Sequence, residues 1–199
     1  MKITKNRRKN INFCFLDKNC EEKSDTKEYA LAAFKEGWAS FISRMTYNDE
    51  ASAANTCATV ETASPLGCIR GKSLLCGEGR HYITDVIYAL CDLWDSNKDT
   101  AKWRQPGSTA NSLAPIEYTD TAQAGLFTLR SGLVKMWAEA SADEKKDVRE
   151  ATAFDPDLGH TATAPLGLCR FSQALIGGNL SRTAVESALA VNGIECNLK

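Results

Sequence analysis

Long apolar runs, histidine and net charge are what this chain has least of. No stretch of its 199 residues stays apolar long enough to span a bilayer as a helix. The 24 Lys+Arg against 25 Asp+Glu leave a formal charge of −1, which excludes a global pull toward nucleic acid or membrane. Only two histidines are present, His81 and His160. No CxxC pair occurs, which argues against a zinc ribbon or a thioredoxin-type site. No segment alternates with period two for long enough to read as a strand. Gly77-Glu78-Gly79 and Gly177-Gly178 are too short for phosphate loops, and no strand leads into them.

What is present is a sequence that repeats itself. SDTKEYAL at 24–31 resembles TDTAQAGL at 119–126. The likeness continues through Gly37 and Gly132, Asp49-Glu50 and Asp143-Glu144, and Pro65-Leu66-Gly67 and Pro165-Leu166-Gly167. A duplication constrains architecture before any single residue does. The expected fold class is therefore all-α: two tandem, internally duplicated four-helix units packed about a pseudo-two-fold axis. Four helices of one repeat have a thin core alone, so the halves are expected to bury each other.

The elements repeat in step. Asp25 and Glu28 form a capping box ahead of the stripe Leu31, Phe34, Trp38, Phe41, Ile42 and Met45. Asp120 and Gln123 take those places before Leu126, Leu129, Leu133, Met136, Trp137 and Ala140. A second helix is expected from Asn48 toward Val60, and its counterpart behind the Ser141–Glu144 capping box, through about Phe154. The Pro-Leu-Gly segments introduce a third helix in each half, ended by Gly77 and Gly177. The fourth carries Tyr82, Val86, Ile87, Leu90, Leu93 and Trp94. Its counterpart starts at Ser181 and ends at Gly193, a C′ glycine after Asn192. The expected organisation is a basic appendage at 1–23, a first repeat at 24–94, a linker at 95–118 and a second repeat at 119–199. Lys2, Lys5, Arg7, Arg8 and Lys9 make the appendage basic, and it is the one place suited to nucleic acid.

Eight cysteines, at 14, 20, 57, 68, 76, 91, 169 and 196, allow 105 complete pairings. Their helical, apolar surroundings favour buried thiols, and residues 11–16 are too short an apolar core for a secretory leader. The expected compartment is the cytoplasm, with a secreted chain as the alternative if the cysteines are bonded.

Several constellations carry chemistry. Cys57 or Cys68 as nucleophile with His81 or His160 as base would make a small Cys-His hydrolase. The spacing of Cys68, Cys76, His81 and Cys91 is too loose for a structural zinc site, so no metal and no cofactor are expected. Asp95-Ser96-Asn97-Lys98-Asp99 opens like a calcium loop, then fails at Thr100 and Pro106. Arg70 and Arg170 occupy equivalent positions and would form an anion site between the repeats. Trp103, between Lys102 and Arg104, suits a partner contact. The favoured expectation is a non-enzymatic binding or interaction protein. It would use the inter-repeat groove, the linker and the inserted loop at 155–160 against another protein or a small ligand. The hydrolase and a carrier of an anionic small ligand are the alternatives.

Overall fold

The computed structural model describes residues 30–46, 57, 79–95, 100–103, 116–119, 121–142 and 166–199. These form five α-helices: α1 (Ala30–Met45), α2 (Ile83–Trp94), α3 (Leu126–Glu139), α4 (Leu168–Ile176) and α5 (Arg182–Val191). A 3₁₀ turn, Gly79–His81, leads into α2. The fold is helical, as expected, with one departure. Thr100–Trp103 (β1) and Ile116–Thr119 (β2) pair antiparallel, Thr100 opposite Thr119 and Trp103 opposite Ile116. This ribbon lies in the linker, and its second strand touches α5. Four residues per strand are too few for a periodic signal to stand out in the sequence.

One hydrophobic core runs through the described parts of both halves. α2 packs on α1, and α4 on α3. The halves meet through rings: Phe171 of α4 lies 5.3 Å from Phe34 and 5.5 Å from Trp38 of α1, centroid to centroid. Phe41 continues the cluster to Trp94 of α2. α2 is the most enclosed of these helices. Its expected stripe of Val86, Ile87, Leu90, Leu93 and Trp94 is buried, but so are Asp85, Cys91 and Asp92.

Helix ends show where local signals prevail and where they fail. Gly193 takes φ 62, with Ile194 N–H bonded to Leu189 O and Gly193 N–H to Ala190 O. That is a Schellman motif with glycine at C′, as the sequence implies. α4 stops at Gly177, its C-cap, as expected, but not through a left-handed glycine. Gly177 keeps a right-handed φ of −65, and Asn179 adopts the left-handed turn at φ 79. Leu180 N–H reaches Leu175 O, and Asn179 N–H reaches Ile176 O. Asparagine tolerates that region, and the turn comes two residues later.

The capping box expected at Asp120 and Gln123 is also corrected, because α3 begins at Leu126 behind Gly125. Thr121 N–H instead bonds Ser187 Oγ of α5, and Ala124 N–H bonds Leu93 O of α2. These bonds tie the segment ahead of α3 to α5 and α2, so tertiary context overrides the local start signal. The first-repeat cap at Asp25–Glu28 and the second helix of each half lie outside the described residues, apart from Cys57 in the first and Ser141 and Ala142 at the opening of the other. So do the basic appendage, the helix end at Gly77 and the inserted loop at 155–160.

Candidate functional site

The cysteines correct the expectation of free buried thiols. Cys57 is bonded to Cys91, and Cys169 to Cys196. None of the described cysteines is free. Cys57, a nucleophile candidate, therefore has no thiolate in this state. Cys68, His160 and Arg70 lie outside the described residues. His81 is buried in the turn before α2. Arg170 is half-buried on α4. Trp103 lies in β1, opposite Ile116. No group of three or more His, Cys, Asp or Glu side chains among the described residues is placed to hold a metal ion.

Sequence reasoning missed a buried polar stripe along α2. Asp85, Tyr88 and Asp92, at steps of three and four, share one face of α2, with His81 in the turn before it and Asp95 at its C-cap. An amphipathic reading sends this face to solvent, yet His81, Asp85, Asp92 and Asp95 are buried. Asn192, at the end of α5, donates Nδ2 to Asp92 Oδ2 and to Ala188 O. The segment after Gly193 closes over the other end of the stripe. Gly79 N–H bonds Gly193 O, and Arg80 bonds Glu195 O at 2.9 Å. A Cβ on Gly79 would meet Ile194 and Asn192 O at under 3 Å, so the turn needs glycine for closeness. The stripe lies on a seam between the halves, since the Asn192–Asp92, Gly79–Gly193 and Arg80–Glu195 contacts each join α2 or its turn to α5 or its tail.

Tyr88 sits at the half-buried point of the stripe. Its pKa is raised above the ordinary 10.0, chiefly by desolvation, with Arg44 opposing the shift and Asp85 adding to it. The unfolded chain therefore loses the phenol proton first as pH rises through about 10. Stability owed to the neutral phenol is full below that pH and declines above it. Tyr88→Phe should flatten the alkaline limb of a pH–stability curve between about pH 9 and 11. Equal alkaline slopes for the two proteins would contradict this.

The surface of α3 holds the second feature. Leu129, Gly132 and Met136 face the core, with Leu133 packed against it. The opposite side exposes Phe127 at 81% and Val134 at 63%, and the margins expose Trp137 at 45% and Leu126 at 40%. Leu126 and Trp137 were expected in the core, and here too the structure corrects the reading. α3 makes its principal packing with α4, so positions at the margins of its stripe stay open. Phe127, Val134 and Trp137 at i, i+7 and i+10 form one line along the helix, with Arg130 at i+3. Exposed apolar residues in a row, unlike scattered ones, mark contact surfaces. Among the described residues no helix is long and apolar enough to cross a membrane. No protein-family model, curated protein or solved structure matches this chain.

Proposed function

We propose that this is a non-enzymatic helical binding protein whose contact surface includes the outward face of α3. The carrying observation is the exposed line Phe127–Val134–Trp137. Aromatic residues with a neighbouring arginine are the usual energetic centre of a protein interface. The reading moves the contact surface from a groove between repeats, where Phe34, Trp38 and Phe171 pack ring on ring, to a helix face.

The internal duplication supports it by supplying a comparison within one molecule. We read α1 and α3 as equivalent at an offset of 95, and α2 and α5 at 99, related by a pseudo-two-fold axis. Gly37 and Gly132 correspond in sequence, and each lies under another helix, though not an equivalent one: a Cβ would strike Val86 of α2 from Gly37 and Leu175 of α4 from Gly132. At two of the outward positions the two helices diverge, while Trp137 corresponds to the apolar Ile42. α1 carries Ala32 and Ala39 where α3 carries Phe127 and Val134. Around them α1 exposes Lys35, Glu36 and Ser43. A helix in this setting therefore does not require large apolar residues outside, and those of α3 call for another cause. The disulfides fit an oxidising compartment better than the cytoplasm.

A photo-reactive phenylalanine analogue placed at Val134, and separately at Ala39, tests the reading in an extract of the source cells. Discrete adducts are expected from position 134 and not from 39. Equal labelling from both positions would remove the basis for the proposal.

A further inference from the structure

The two disulfides among the described residues differ in exposure. Cys57 and Cys91 are 0% and 1% exposed, deep in the core. Cys169 and Cys196 are both half-buried, and Cys196 stands between the exposed Glu195 and Asn197. Exchange requires a thiolate to reach one sulfur of the bond. An enclosed bond must wait for the chain to open, whereas a half-buried one is met in the folded protein.

The accessible bridge is also the covalent hold between α4 and the tail, residues 194–199. Ile194 anchors the start of that tail in the core. Its polar holds are Arg80 on Glu195 O, Arg182 on Leu198 O, and Gln173 with Lys199. All of these lie at the surface, where water replaces a hydrogen bond at small net cost. Beneath the tail is the turn before α2, with Gly79 N–H on Gly193 O and His81 buried beside it.

We propose that Cys169–Cys196 is a redox-sensitive latch, opened in the folded protein by a dithiol reductant, that sets how firmly the tail covers the turn before α2. A thiolate of the reductant attacks one sulfur of the bridge. That S–S bond breaks, a mixed disulfide forms, and the released cysteine thiolate takes up a proton. The second thiol of the reductant then attacks the mixed disulfide, giving up its own proton and freeing the second cysteine. The bridge gains two electrons and two protons, and the dithiol leaves as its disulfide. The same exchange run backwards recloses the latch. Cys57–Cys91 holds the core throughout, so the change stays confined to the tail.

Dithiothreitol added to the native, oxidised full chain tests this, with samples quenched by iodoacetamide and each cysteine mapped by mass spectrometry. Cys169 and Cys196 should be alkylated at least tenfold faster than Cys57 and Cys91. Amide exchange on the partly reduced protein should rise severalfold at Gly79 and across the tail, with α1 and α3 unchanged. Cys169→Ser with Cys196→Ser should show the same raised exchange without reductant. Simultaneous opening of both bridges would overturn the latch, because it would mean that reduction follows global unfolding. Selective opening with no change in exchange at Gly79 or in the tail would overturn it equally.

Discussion

Replacing Cys57 and Cys91 together by alanine should lower the unfolding free energy by about 4 kcal/mol. The bridge closes a sequence separation of 34, and the chain-entropy relation gives roughly that value for a loop of this length. The bridge across Cys169 and Cys196, with a separation of 27, comes out at about 4 kcal/mol as well. The two differ in what they tie. Cys91 is enclosed in the middle helix of the core, and both Cys57 and Cys91 are buried, so alanine there also removes packed sulfur. Cys169–Cys196 fastens the tail to α4. That tail keeps other holds: Arg80 on Glu195 O, Gln173 on Lys199 and Arg182 on Leu198 O. The Cys57/Cys91 variant should therefore lose more than the Cys169/Cys196 variant. Guanidinium denaturation at a common slope measures both. A loss under about 1 kcal/mol for Cys57/Cys91 would show that the bridge does not constrain the unfolded chain. Reductant added to the native protein is a poorer measure of this bridge, because a buried bond is shielded until the chain opens.

How much of this was legible in advance depends on whether a residue answers to its neighbours in sequence or to those in space. The apolar stripes follow from helical period alone, and Leu31, Phe34, Phe41, Leu90, Leu129 and Met136 are all buried where period puts them. Gly193 is local in the same sense, since a Schellman turn is closed within about six residues. The helix start expected near Asp120 moves to Leu126, because Thr121 and Ala124 in the segment before it are bonded to Ser187 and Leu93, which are distant in the chain. The disulfides were illegible for a combinatorial reason: 105 pairings have no preferred member without coordinates.

The buried polar stripe failed for a subtler reason. His81, Asp85, Tyr88, Asp92 and Asp95 form the polar side of an amphipathic helix, and such a side is ordinarily wet. Apart from half-buried Tyr88 it is enclosed here: Asn192 at the end of α5 supplies a donor to Asp92, and the residues after Gly193 close on the turn that carries His81. A carboxylate can be enclosed when a hydrogen-bond donor is enclosed with it. That pairing joins positions 92 and 192, one from each half. The candidate contact face failed in the opposite sense. Period assigns Trp137 to the core, but among the described residues α3 packs chiefly on α4, and Trp137, at the margin of its stripe, stays 45% exposed.

Phe171→Ala should cost about 3–5 kcal/mol, the usual range for emptying a buried phenylalanine site. Phe171 is fully enclosed, and it faces Phe34 and Trp38 at centroid separations of 5.3 and 5.5 Å, the second edge-on. A Cβ added at Gly132 would lie 3.3 Å from its ring, so α3 also closes on this side chain. One residue thus holds α4 to α1 and touches α3, and its neighbours are rings that cannot collapse into the space it leaves. Phe171→Leu keeps most of the volume and should cost roughly 1–2 kcal/mol, the lost ring contacts contributing about half. Phe127→Ala supplies the contrast. The same chemistry is removed from a side chain that is 81% exposed, and the change should stay within about 0.5 kcal/mol. Equilibrium denaturation of the three variants under oxidising conditions orders them. If Phe127→Ala proved as costly as Phe171→Ala, the outward face of α3 would be core, and the case for a contact surface there would fall with it.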